Sequence, residues 1–255
     1  MRSANLVIQQ GGVPDAPPFR EPVFLFLGLA LMLAAIAAVL LWQRGRPSLL
    51  HAFTWGAAAW AIASVLKLAW QIPVSPLIQR TLSAPLFYLY AGLATGAFEC
   101  GVPLLVALKT RLKRSDWNEA VAFAIGFGAI ETFLAGAATF LVMAAVMRFR
   151  EHISADSMAA IANAFGSRIL GVPLAITEQL AGVAVDVFAG VFILYGVRMR
   201  QWRWFWMALA YKAGIGAFEA GGGVSTAESI AKLALAAVGL AGVALLRRRF
   251  KALPV

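Results

Sequence analysis

"AIGFGAIETFL", residues 124–134, reads as membrane helix at every position except Glu131. A carboxylate midway along an apolar span costs roughly 2.5 to 3.5 kcal/mol on insertion scales, so Glu131 predicts a partner or a task inside the bilayer. The apolar run around it extends over 119–147, longer than the roughly 20 residues that cross a hydrocarbon core of about 30 Å. Hydrophobic residues make up 61% of the 255-residue chain and charged residues 13%, a balance that a soluble domain with a polar exterior does not reach. The predicted fold class is all-α, a polytopic membrane protein.

Further apolar runs fall near 22–43, 49–71, 83–108, 168–197, 203–221 and 226–246. With 119–147 they predict seven transmembrane helices around a central polar cavity. "AGGGVS", residues 220–225, marks the turn before the last helix. "SADSMAAIANAF", residues 154–165, is a candidate eighth, interfacial helix, because Met158, Ile161 and Phe165 recur at helical spacing behind residues suited to capping. The expected organisation is a weakly ordered tail over 1–21, one transmembrane domain over 22–247 and a short basic tail over 248–255. "WRWFW", residues 202–206, beside a basic loop, fits an interfacial aromatic belt.

The lone Cys100 can form neither an internal disulfide nor a thiolate cluster, and His51 and His152 lie at the ends of predicted spans. This argues against a haem held by two buried histidines and against a histidine-rich zinc site. No cofactor is expected, although a divalent metal at the carboxylates is left open. The net charge of +10 comes as short basic clusters between apolar runs, the pattern of topology signals rather than of nucleic-acid binding.

Arg44 and Arg46 follow the first span, and Lys109, Arg111, Lys113 and Arg114 the third. Arg198, Arg200 and Arg203 follow the fifth, and Arg247, Arg248, Arg249 and Lys251 the seventh. The opposite loops hold chiefly Arg80, Arg148, Arg150 and Arg168. The positive-inside rule then predicts a multi-pass protein of the bacterial inner (cytoplasmic) membrane, with its amino terminus outside and its carboxy terminus in the cytoplasm.

Counting from these flanks gives the depth of each buried charge. Glu99 lies about 15 Å from Lys109, Glu131 about 18 Å from Glu119, Glu178 about 15 Å from Arg168, Asp186 about 18 Å from Arg198 and Lys212 about 13 Å from Arg203. All five reach the midplane, on four helices. Lys67 and Glu219 fall nearer the outer ends of their spans, where a snorkelling or surface role is expected. Four acids facing one base would leave uncompensated negative charge in a low dielectric, so carboxylates there should be protonated or paired with Lys212. A protonated carboxyl beside an ionised one suits general acid and base work, including water activation; the same groups suit a proton relay or interhelical hydrogen bonding.

The run "AGLATGAFECGVPLLVALKTRLKRSDWNEAVAFAIGFGAIET", residues 91–132, resembles the first two motifs of the YhfC-type intramembrane endopeptidases, relatives of the CAAX-processing, bacteriocin-processing and PrsW proteases. The resemblance runs over roughly 85–220. It implies a bundle of seven or eight helices whose glutamates and histidines activate water and stabilise an oxyanion, with metal as an option. On that pattern Glu99, Glu131 and Glu178 stand at the glutamates, while Cys100 and Pro103 replace a Glu and an Arg. Phe127, Asp186 and Lys212 stand at histidine positions, and Gln179 stands at an Arg. Phenylalanine neither exchanges protons nor binds metal.

The expected function is therefore a catalytically degenerate member that acts as scaffold or binding subunit for transmembrane or lipidated partners in the bilayer. An active peptidase with Glu99 or Glu131 as base and Lys212 at the oxyanion is the alternative, and proton-linked transport is a further one.

Overall fold

The computed structural model describes residues 21–154, 156–158, 160, 161, 172–221 and 226–251. Seven long helices carry the fold: α1 (Glu21–Gln43), α2 (Leu50–Thr81), α3 (Ala84–Lys109), α4 (Trp117–Phe149), α5 (Val172–Met199), α6 (Trp202–Gly221) and α7 (Thr226–Lys251). No strand occurs among the described residues. Six of the helices are long and apolar enough to cross a membrane; α6, with Arg203, Lys212 and Glu219 in 20 residues, is the other. The chain is an all-α, multi-pass membrane protein.

Each helix starts or stops for local reasons. Asp116 caps α4 by accepting from the Glu119 N–H at 2.8 Å, and Glu119 accepts from the Asp116 N–H at 3.1 Å, a reciprocal capping box. Gly45, at φ +73°, turns the chain beyond α1 in the left-handed region that favours glycine.

Helix α2 departs from expectation. It runs for 32 residues, to Thr81 instead of residue 71, with Pro73 and Pro76 inside it. Proline removes a backbone donor and ends most soluble helices, but in a membrane bundle neighbouring groups and local adjustment re-satisfy the freed carbonyls. The longer helix places Lys67 near its middle, a point that matters at the site.

Helix α4 is the central post. Every residue from Ala120 to Ala129 is buried, with α1 and α2 packed on one side of the helix and α5 on another. α3 pairs with α6, and α7 lies along α5. A Cβ built at Gly126 would stand 2.8 Å from the Phe53 Cα, and one at Gly28 would stand 2.7 Å from the Gly136 oxygen. Those approaches require glycine, and between helices in lipid such close backbone packing supplies much of the association energy.

The main core includes Phe53, Phe123, Phe188, Phe192 and Tyr195, and a smaller one joins Phe24, Leu27, Leu31 and Met143, with Ile161 packed against it. Residues 156–158, 160 and 161 of the expected interfacial helix are helical, opened by Ser154 Oγ accepting from the Ser157 N–H at 3.2 Å; residues 162–165 lie outside the described residues. So do the expected tail through residue 20 and the turn at 222–225. In the aromatic cluster, Trp202 and Trp206 face outward, whereas Trp204 stacks edge-on against Phe192 and Tyr195 and Phe205 is buried.

Candidate functional site

Three of the five midplane charges meet. Lys212 of α6 places its Nζ 2.7 Å from Glu99 Oε2 of α3 and 2.5 Å from Asp186 Oδ1 of α5. Glu99, Asp186 and Lys212 are 7, 4 and 7% exposed, so the ammonium and its two carboxylates form one buried network. Burying charge is costly unless each ion is paired and hydrogen-bonded, which this geometry provides.

The network has a further member. Lys67 of α2 pairs with Glu99 Oε1, so each oxygen of that carboxylate holds an ammonium. Lys67 is no snorkelling surface residue, a correction that follows from the length of α2. The expected run ends near residue 71; the helix continues through Pro73 and Pro76, and Lys67 then lies at the depth of Glu99.

Two neighbours shape the network from α4. The Phe127 ring faces Lys212, with Nζ 5.9 Å from its centroid, within range of a cation–π contact. At the next residue, a Cβ at Gly128 would lie 2.9 Å from Asp186 Oδ2 and 3.1 Å from the Val183 Cα; this glycine leaves the space that the Asp186 carboxylate fills.

Glu131, the residue of the opening stretch, shares the site without joining the ion pairs. Its Oε2 accepts from Trp60 Nε1 of α2 at 3.0 Å, and its side chain lines a cavity of about 350 Å³. Lys67, Glu99, Asp186 and Lys212 form the inner end of that cavity, and Thr95, Thr132 and Gln179 line its walls. Glu219 and Lys232, paired with each other across α6 and α7, lie at its outer part. The cavity occupies the half of the bundle that holds the α2–α3 and α6–α7 connections, opposite the basic loops. Beyond the network, among Pro103, Phe123, Phe127 and Ala189, packing leaves a void of about 10 Å³, no more than one water requires.

Glu178 goes elsewhere: it accepts from the Ser229 hydroxyl of α7 and does not line the cavity. Tyr211, one residue before Lys212, donates to the Leu235 carbonyl of α7 at 2.6 Å. His51 sits at the start of α2, 3.5 Å from Glu119, at the far end of the bundle.

The chain is thus a multi-pass helical bundle whose polar cavity reaches buried carboxylates. The YhfC intramembrane metalloprotease family model matches residues 29–238, and the chain belongs to that family. Searches of curated proteins and of solved structures find no match.

The family description implies a metal, and the donor set can be tested against one. Among the described residues no three His, Cys, Asp or Glu side chains come together as ligands. The two carboxylates that do converge enclose a lysine ammonium, and the ring facing it offers no lone pair. The residues present do not fit a metal ion.

Proposed function

We propose that this chain is a non-hydrolytic member of its family, which keeps the bundle and the blind cavity to bind a transmembrane or lipidated partner within a membrane complex. The single observation that carries this reading is the double engagement of Glu99, with Lys67 on one oxygen and Lys212 on the other. A general base needs a carboxylate oxygen within hydrogen-bond reach of water and free to accept its proton. Glu99 is held as a counter-ion, and Asp186 is held with it. The cavity suits recognition of a polar group on a membrane-embedded partner, since Lys67, Lys232, Glu131 and Glu219 present both signs of charge along its walls. The placing of the basic clusters supports an orientation with the amino terminus and the cavity mouth outside and the carboxy terminus in the cytoplasm.

Glu131 favours a second reading, a glutamate-dependent peptidase. Its carboxylate lines the cavity and, among the described residues, bonds to Trp60 alone and to no ammonium, so it is the acid placed to activate water, with Lys212 stabilising the oxyanion. Transport has less support, because the cavity stops at the packed residues beyond Lys212.

A photo-crosslinking residue at Gln71 or Gln179, both on the cavity wall, separates these readings in intact cells. The binding role gives an adduct with a full-length membrane protein, and no shortened product from either the wild-type protein or Glu131→Gln. A peptidase gives a shortened product that Glu131→Gln abolishes, and that outcome overturns the proposal.

A further inference from the structure

On the family resemblance Lys212 stands at a histidine position, and Lys67 converges with it on the Glu99 carboxylate. We propose that Lys212 and Lys67 are a built-in replacement for a divalent cation, so that the native site needs no metal and excludes one. This holds whether or not the chain cleaves peptide bonds.

Charge is the first part of the argument. Two ammonium groups carry the charge of one divalent ion, and they meet two carboxylates, Glu99 and Asp186, which they neutralise. The groups come from four helices, α2, α3, α5 and α6, as the ligands of a bundle-core metal commonly do. Lys212 sits at the centre, shared by one oxygen of each acid at 2.7 and 2.5 Å. A metal ion entering there would have to displace an ammonium tethered to α6, buried, and able to donate three hydrogen bonds.

The surroundings fit a fixed organic cation better than an ion. The Phe127 ring presents its face to Nζ at 5.9 Å, an arrangement that attracts a cation while supplying no ligand. On the packed side the void beside the network, about 10 Å³, leaves no space for the waters that complete a coordination shell, which could come only from the cavity. On the cavity side, by contrast, Glu131 stands near enough to line the same space. Removing the Lys212 side chain would leave Glu99 and Asp186 facing each other across the vacated position, an all-oxygen pair open to water, of the kind that suits manganese(II).

The test is made on the full chain purified in detergent, by equilibrium dialysis against manganese(II) and by thermal unfolding with and without the ion or a chelator. Wild-type protein is expected to hold no stoichiometric manganese and to unfold at a temperature that neither ion nor chelator moves. Lys212→Ala is expected to bind one manganese(II) per chain and to unfold at a higher temperature with the ion present. Adding Asp186→Asn to that variant should abolish both effects. If Lys212→Ala yields no folded protein with or without manganese, Lys212→His, which keeps a neutral ligand at the position, should show the same gain. The proposal is overturned by one ion per wild-type chain that Glu99→Gln releases, or by a folded Lys212→Ala or Lys212→His protein indifferent to manganese.

Discussion

At Gly128 a single missing methyl decides whether the buried network closes. A Cβ there would press on both the Asp186 carboxylate and the Val183 backbone, so Gly128→Ala must push Asp186 off Lys212 or spread α4 from α5. Overpacking of this kind costs about 1 to 3 kcal/mol, and thermal unfolding in detergent should show the loss. Gly101→Ala is the matched control: a Cβ there meets nothing within 4 Å among the described residues, and the change should be neutral or slightly stabilising. The sequence carries the need for a partner at each midplane charge, because depth follows from counting residues. It does not carry the pairing, because a helix can turn any of its faces to the bundle. Glu131 and Lys212 share a depth, yet Glu131 turns to Trp60 while Asp186 takes the lysine. Glu178 turns to Ser229, on a helix from which no partner was sought.

Individual helices were legible in number and order, and their ends were less so. The seven apolar runs correspond to seven helices, six of them long and apolar enough to cross a membrane, because bilayer thickness sets a minimum length that hydropathy reports. Ends depend on weaker signals. Helix α2 continues past the expected end near residue 71 to Thr81, and α7 past the expected end near 246 to Lys251. Phe250 explains that continuation: it is buried between Trp117, at the start of α4, and Tyr195 of α5, with ring centroids 5.9 and 5.4 Å away. Arg198 lies over the same ring, 5.8 Å from its centroid. The end of α7 is thus an anchor on α4 and α5. Phe250→Ala should destabilise the bundle by about 3 kcal/mol, measured as a drop in unfolding temperature. Arg248→Ala and Arg249→Ala, at exposed positions of the same turn, should stay within about 0.5 kcal/mol of wild type.

For the molecule as a whole, the basic loops between α1 and α2, α3 and α4, and α5 and α6 share one end of the bundle. That end should be cytoplasmic. With Cys100 buried and silent, a membrane-impermeant thiol reagent should label Ser83→Cys in intact cells and label Lys113→Cys only after the membrane is opened. The reverse pattern would invert the protein and turn the cavity mouth inward. Family membership was legible because glycines and glutamates keep their spacing over 91–132. The fate of the metal position was not, since it depends on Lys67 and Lys212 converging from helices 145 residues apart in the chain.

The blind end of the cavity also has an electrical meaning. If water fills the cavity from its mouth, it carries the potential of that side down to Lys212, and the membrane voltage then falls across the packed layer of Phe123, Phe127 and Pro103 rather than across the full span. A unit charge crossing the whole field exchanges about 2.3 kcal/mol per 100 mV. A charge moving between the mouth and Glu99 would exchange almost none. A polar group entering such a water-filled cavity would be insulated from the cell's resting voltage, and its occupancy would be set by chemistry alone.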